Sequence, residues 1–543
     1  MQINRHFSTT GLLVGTFFFA MSLTPTLLPR TAVVQGVISG LSLIAGYGVG
    51  VFGHWLWVYL ELPTPRARIQ KIFLMGASAV CALFAAAFLR QAAGWQNKVR
   101  SLMEVEEFSG VQPLLVGFVA LLVFTVLLLV AKLFRRVFQV LSKSLQRVIP
   151  RRISHLLGLL AAFALFWSVI DGVIFTLALR AIDRSYQQID ALIEPEVERP
   201  TDPFKTGSGE SLVGWERMGR QGRRFITSGP RVEELSRFAG NAQVLEPLRV
   251  YVGVNSAETP ATRAALALEE LKRVGAFERS LLLLITPTGT GWVDPGAIDT
   301  IEYLHRGDVA SVAVQYSYLP SPVSLLVEGD YGAETARAVF EEIYGYWSEL
   351  PDDQRPQLYL HGLSLGALNS DLAFDFYDII DDPFRGALWS GPPFRSDTWR
   401  TVTERRDAES PAWLPRFRGG SVVRFANQET GLEVSNSEWG AFRIAFLQYA
   451  SDPVTFFTSR SFYGEPEWMR EPRGPDVSPD LRWFPIVTWL QLVADMAAGS
   501  SPNGYGHSYA AQDYLAAWVV LTEPEGWSEE DLRRLGRIWM GED

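Results

Sequence analysis

Gly362-Leu363-Ser364-Leu365-Gly366 sets a serine between two glycines in the spacing G-x-S-x-G. The short apolar run Gln357–His361 before it reads as a strand, and Ala367–Ile380 after it reads as a helix. In a strand-turn-helix setting this spacing makes a sharp turn that lifts the hydroxyl above a sheet. The glycines two residues before and after remove side chains that such a turn would crush. The turn also frees the backbone N–H of Leu365 to meet a developing oxyanion. The chemistry implied is nucleophilic attack by Ser364 on a carbonyl. An ordinary glycine-rich turn is the bland alternative, and the strand and helix on either side argue against it.

A serine nucleophile needs a base and an acid, and with this turn they follow in the order serine, acid, histidine. The chain has six histidines, and only His507 lies beyond Ser364. It sits in Asn503-Gly504-Tyr505-Gly506-His507-Ser508-Tyr509, a glycine-rich loop before a helical stretch. The acid is expected at the exit of a late strand. Asp452 follows the run Ala445–Ala450, and its rival Glu429 follows Ser421–Ala426; Asp452 is preferred. Asp371 and Asp375 fall on the helix after Ser364 and read as solvated or structural. A second oxyanion donor is expected after an early strand. Leu281–Ile285 runs into Thr286-Pro287-Thr288-Gly289-Thr290-Gly291-Trp292, where the Gly289 and Thr290 backbone N–H groups are candidates and a plain turn is an equal reading. That loop lacks Gly-Lys-Ser/Thr and G-x-G-x-x-G, which argues against a nucleotide. The lone cysteine, Cys81, excludes intrachain disulfides, zinc fingers and cysteine-ligated clusters. No histidine pair has H-x-x-x-H spacing, so neither a metal nor another cofactor is expected.

These residues need a scaffold. From Leu248, continuous apolar runs of strand length alternate with helical stretches such as Ala261–Val274 and Tyr331–Leu350. That pattern predicts a doubly wound, mostly parallel sheet covered on both faces over 247–543. Residues 183–246, rich in Gly, Arg, Glu and Pro, read as a connector. Residues 1–182 read as an all-α bundle. Charge divides the same way: 1–182 carry 16 Lys and Arg against five acids, and the remainder 33 against 54. The acidic part repels phosphate, so nucleic acid is not an expected partner.

The first third carries five long runs almost free of charge: Phe7–Pro29, Thr31–Leu60, Ile72–Leu89, Val111–Ala131 and Leu156–Leu179. A spanning helix needs about 20 apolar residues, so about five transmembrane spans are expected. Counting Lys and Arg in the loops gives eleven on the side of the N-terminus and four on the other. Positive charge stays in the cytoplasm, which predicts an extracytoplasmic C-terminal domain. Asp171 lies within the last run, either near an interface or in a functional role. Leu23–Arg30, with two prolines, reads as a kinked helix end. Gly36, Gly40, Gly46, Gly48, Gly50 and Gly53 read as a small-residue packing face.

The residues from Leu248 to Tyr509 resemble the α/β-hydrolase superfamily. The whole chain resembles a bacterial family of membrane-anchored α/β-hydrolases with a multi-helix N-terminal domain. The stretches that carry the likeness are Leu23–Arg30, Gly219-Arg220-Gln221-Gly222-Arg223, Thr286–Trp292, His361–Gly366, Ala450–Pro453 and Gly506-His507. The resemblance implies a serine-hydrolase fold and triad in a bacterial inner membrane. With the tether, the expected activity is hydrolysis of a lipid or cell-envelope acyl ester. An acyltransferase on the same triad and a non-enzymatic envelope or transport-accessory protein are the alternatives. Trp389, Phe394 and Trp399 belong to an aromatic supply suited to an acyl pocket or to core. The arginines of Gly219–Arg223 could bind an anionic head group or cap a helix.

Overall fold

The computed structural model describes residues 8–63, 67–107, 113–240, 242–321, 323–324, 331–433, 437–498 and 501–541. The chain forms two compact units. The first comprises Met1–Ala181, Phe457–Glu471 and Pro475–Ser501. The second comprises Ile182–Phe456, Pro472–Gly474 and Pro502–Asp543. The division therefore differs from three consecutive segments: most of the chain between Asp452 and His507 belongs with the N-terminal helices.

The first unit contains α1 (Thr9–Ser22), α2 (Ala32–Tyr59), α3 (Ala67–Leu102), α4 (Pro113–Leu145) and α5 (Arg151–Val169). Among the described residues, four helical segments are long and apolar enough to cross a membrane: Ala32–Tyr59, Arg68–Leu102, Pro113–Leu145 and Arg151–Gly172. The first expected span is shorter. α1 has 14 residues, about 21 Å at ~1.5 Å per residue, against a hydrocarbon thickness of ~30 Å. It stops at Ser22 because Pro25 and Pro29 cannot prolong a helix, and Ser22 Oγ instead donates to Ser39 Oγ of α2 at 2.8 Å. After α5 a π-helical turn, Ile170–Phe175, holds Asp171 exposed. α6 (Thr176–Ala191) then carries the chain out of this unit.

Leu114, Phe118, Leu121 and Leu129 are among many apolar side chains left exposed on these helices, a surface that suits hydrocarbon better than water. The small-residue face of α2 is split between two neighbours. A Cβ on Gly46 would lie 2.8 Å from Val14 O and one on Gly50 2.6 Å from Thr10 O, both in α1. One on Gly40 would lie 2.7 Å from Ala120 O in α4. Gly48 and Gly53 face open space, so packing explains the stripe only in part.

The second unit is built on β1 (Leu248–Val252), β2 (Leu281–Thr286), β3 (Val309–Val314), β4 (Gln357–Leu363), β5 (Gly386–Ser390), β6 (Val423–Ala426) and β7 (Arg443–Leu447). All pairings are parallel, in the order β1-β3-β2-β4-β5-β7-β6. β1, β2, β3 and β5 are buried along their whole length, which is why they read as continuous apolar runs. Its helices include α7 (Arg220–Thr227), α8 (Pro260–Arg273), α9 (Pro295–Leu304), α10 (Tyr331–Glu349), α11 (Leu365–Asp371) and α12 (Ala511–Thr522). Right-handed crossovers put connections that advance across the sheet on one face and those that step back on the other. Accordingly α8, α10 and α11 pack together, and α9 packs with α12. The single helix expected over Ala367–Ile380 is broken: α11 ends at Asp371, and Asp375, in extended geometry, caps a separate turn at Phe376–Ile379.

The Gly219–Arg223 segment has a structural role here. Gly219 has φ +81°, and a Cβ there would lie 2.7 Å from Asp190 Oδ2. One on Gly222 would lie 2.3 Å from the Tyr251 ring of β1. Arg223 is buried and donates to the carbonyls of Asp190, Leu192 and Trp215. Arg220 pairs with Glu194 at 2.8 Å. Of the two roles open to these arginines, binding the end of α6 and the loop after it is the one the structure realises.

Candidate active site

Ser364 sits between β4 and α11 with φ +59° and ψ −125°. A serine in this region stores about 1–3 kcal/mol of strain and survives only where its surroundings fix it. Its N–H donates to Ser390 O at 3.0 Å, and its carbonyl accepts from Leu368 N–H at 3.2 Å. The two glycines are required by close approach. A Cβ on Gly362 would stand 2.4 Å from the Gly366 carbonyl group, and one on Gly366 2.2 Å from Thr286 O. Leu365 opens α11, so its N–H has no partner within the helix.

The sheet order brings Asp452 toward this turn and leaves Glu429 behind. β7 lies two strands from β4, while β6 is the edge strand, three away. At ~4.8 Å per strand those are about 10 and 14 Å. Asp452, beyond β7, is fully buried. Its Oδ2 accepts from His507 Nδ1 at 2.7 Å, Tyr509 Oη at 2.7 Å and Thr455 Oγ1 at 3.2 Å. Its Oδ1 accepts from Val454 N–H at 2.8 Å. Glu429 is exposed in a loop pinned by Asn427 Oδ1 on its N–H, with no bond to His507.

The His507 loop is held on both flanks. Gly504 and Gly506 take φ of +88° and +57°. Gly506 N–H donates to Ser451 Oγ at 2.9 Å, and Gln428 Nε2 to Gly504 O at 3.1 Å. With Nδ1 donating to a carboxylate, Nε2 of the neutral ring is the acceptor. Nε2 is buried with no partner among the described residues, and no hydrogen bond joins it to Ser364 Oγ. Such bonds are often long in unliganded enzymes and tighten on substrate.

Two residues beyond the sequence reading complete the arrangement. Gly391, just after β5, has φ +50°, and a Cβ there would lie 2.7 Å from His507 Cε1. The glycine that ends a strand was visible in the sequence; its neighbour was not. Tyr509 binds Asp452, stacks on Tyr449 with ring centroids 4.5 Å apart, and Tyr449 donates to Asp513. Burial pushes the Asp513 carboxyl up to about 6.

Other candidates are placed elsewhere. His361, buried in β4, bonds Leu388 O at 2.8 Å, and burial lowers its pKa to about 4, so it stays neutral. Asp371 accepts from Ser396 Oγ. Trp389 and Trp399 are buried in the core, hydrogen-bonded to Ser370 and Gln448. The Thr286–Trp292 loop begins at the turn, since Thr286 O and Pro287 O border Gly366. Its Gly289 N–H, however, is donated to Ser321 Oγ at 3.3 Å. Thr290 N–H has no partner among the described residues.

Residues 248–535 match the family described as the alpha/beta-hydrolase family, and residues 23–230 match the alpha/beta-hydrolase family N-terminus. No curated protein and no solved structure matches the chain.

Proposed function

The chain belongs to the alpha/beta-hydrolase family, and from that premise we propose that it is a serine hydrolase cleaving an ester of a lipid or cell-envelope acyl compound. The observation that carries this reading is the pair of buried Asp452 and His507 at 2.7 Å, whose Nε2 has no partner among the described residues, on the sheet edge that also holds the strained Ser364. His507 Nε2 takes the Ser364 Oγ proton as Oγ attacks the ester carbonyl. Asp452 holds the ring in the required tautomer and stabilises the imidazolium. Leu365 N–H stabilises the tetrahedral oxyanion, with Thr290 N–H as the second donor now that Gly289 N–H is engaged. The imidazolium gives its proton to the departing alcohol. Water, deprotonated by the same nitrogen, then releases the acid and restores Ser364.

The lipid assignment is supported by the apolar helices and by the loop charges. Counting only the four long segments, the basic stretches Arg66–Lys71 and Lys132–Arg152 at their ends still share one side, and the segment after the last span lies on the other. We therefore place the protein as multi-pass in a bacterial plasma membrane, with the catalytic unit extracytoplasmic.

The test is fluorophosphonate labelling of membranes containing the full chain. Wild type should label and Ser364→Ala should not; equal labelling of both would refute the nucleophile. A reporter fused after Asp543 should be active outside the cytoplasm, and cytoplasmic activity would refute the orientation.

A further inference from the structure

The helical unit contains a cavity of about 300 Å³ walled by α2, α3, α4 and the Leu23–Arg30 segment. This is the low end of the range for small-molecule pockets. Its lining has a polarity gradient. Leu89, Ala92, Gln96 and Arg100 recur every three or four residues on one face of α3. They run from apolar to polar over about 16 Å. Arg100 lies in the last turn of α3, and the cavity also touches the first turns of α2 and α4. In an antiparallel bundle those termini share one end, where lipid head groups lie.

The polar end is built. Arg30 is buried, and its Nε donates to Asp495 Oδ1 at 2.9 Å. Asp495 belongs to the helix Val487–Ala498 and also accepts from Thr26 Oγ1 and Leu27 N–H. Arg30 Nη1 donates to Gln35 Oε1, and Arg30 N–H donates to Gln96 Oε1 at 3.0 Å. The Gln96 amide is thereby oriented, yet its Nε2 is buried with no partner among the described residues. A buried amide donor left unmet is rare and unfavourable. A water would satisfy the amide but leave Leu23, Leu89, Ala92 and Val116 around it facing empty space.

We propose that this cavity is a binding site for a single acyl chain ending in an oxygen-acceptor head group. Gln96 Nε2 meets the head, and the chain lies along Ala92 and Leu89. Both a fatty acid, with a carboxylate, and a lysophospholipid, with a phosphate, present this chemistry. The volume admits the head and the first part of one chain, so a diacyl lipid does not fit whole. The proposal is independent of Ser364 and concerns only the helical unit.

The experiment uses the full-length chain in nanodiscs of neutral lipid and two photoreactive probes that no esterase can cleave. One is a diazirine-bearing long-chain fatty acid, and the other an ether-linked diazirine lysophosphatidic acid. Cross-linked peptides are mapped by mass spectrometry. Saturable labelling within residues 89–100 and 113–116, displaced by unlabelled palmitate or by unlabelled ether lysolipid, is expected. Whichever competitor displaces more at equal concentration identifies the head group. Gln96→Leu keeps the volume and removes the donor, and should weaken binding about tenfold. Ala92→Trp should abolish it by filling the cavity. Labelling spread evenly over all lipid-facing helices, unsaturable and unchanged in Gln96→Leu, would overturn the site. If Ala92→Trp fails to fold, the Gln96→Leu titration alone decides.

Discussion

Each unit of this protein buries aspartates, and Asp452 in one and Asp495 in the other have opposite surroundings. Asp452 and Asp495 are both shielded from solvent. Around Asp495 the main partner is an arginine, Arg30, helped by Thr26 Oγ1 and Leu27 N–H. A fixed cation of opposite charge neutralises the carboxylate, and the pair joins the Leu23–Arg30 segment to the helix Val487–Ala498. Around Asp452 the donors are Tyr509 Oη, Thr455 Oγ1, the Val454 and Thr455 N–H groups and His507 Nδ1, with no arginine or lysine among them. In the proposed mechanism its charge is therefore left to stabilise the imidazolium formed when His507 takes the Ser364 proton. The partner, more than the burial, decides whether a buried carboxylate is structural or chemical.

The largest effect expected from this contrast is on turnover. Asp452→Asn keeps the shape but favours the wrong imidazole tautomer, and ester hydrolysis should fall by ~10³–10⁴. Glu429→Gln should be near normal in the same assay. Reversal of the two rates would transfer the acid to the edge strand and remove the contrast altogether.

Asp495→Asn should act on stability instead. It leaves Arg30 buried without its counter-charge, a loss of about 3–5 kcal/mol, seen as a lower midpoint of thermal unfolding in detergent. The folded fraction should label with fluorophosphonate at the wild-type rate. A folded Asp495→Asn protein that labels as slowly as Asp452→Asn would show that this ion pair serves the chemistry as well.

Gly391→Ala sharpens the comparison on the catalytic side. The methyl group would press on His507 Cε1 at a positive φ. A displacement of the ring by under 1 Å is enough for a loss of ~10–10² in kcat with little change in KM. A normal kcat would mean that the loop absorbs the methyl group.

The smallest effect is expected from Tyr509→Phe, about tenfold in kcat/KM, the scale of one hydrogen bond to a charged group. Without the Tyr509 hydroxyl, Asp452 Oδ2 keeps only His507 Nδ1 and Thr455 Oγ1 as donors, so the carboxylate is held less firmly against the ring and the loss should fall on kcat with KM little changed. A wild-type rate would reduce Tyr509 to packing against Tyr449.

Local rules carried far in this sequence. The strand-turn-helix around Ser364 was legible because its spacing is local and Gly362 meets Gly366 within five residues, although Gly366 itself also answers to Thr286 O. The parallel sheet was legible because strands buried on both faces must be apolar throughout. His507 stood out because it alone follows Ser364 among six histidines. The tertiary structure decided what depends on residues far apart in the chain. Sheet order, with β7 inside β6, sets Asp452 and Glu429 at different distances from β4, and no periodicity encodes that order. Leu23–Arg30 read as a helix end because its partner Asp495 lies more than 460 residues away. Gly219–Arg223 had no derivable role until Asp190 and Tyr251 were seen against its glycines. An apolar run reports that a segment avoids water. Where that segment turns, as α1 does after 14 residues, is marked locally by Pro25 and Pro29, but what then holds the turn, a serine pairing with another helix, leaves no mark in local composition.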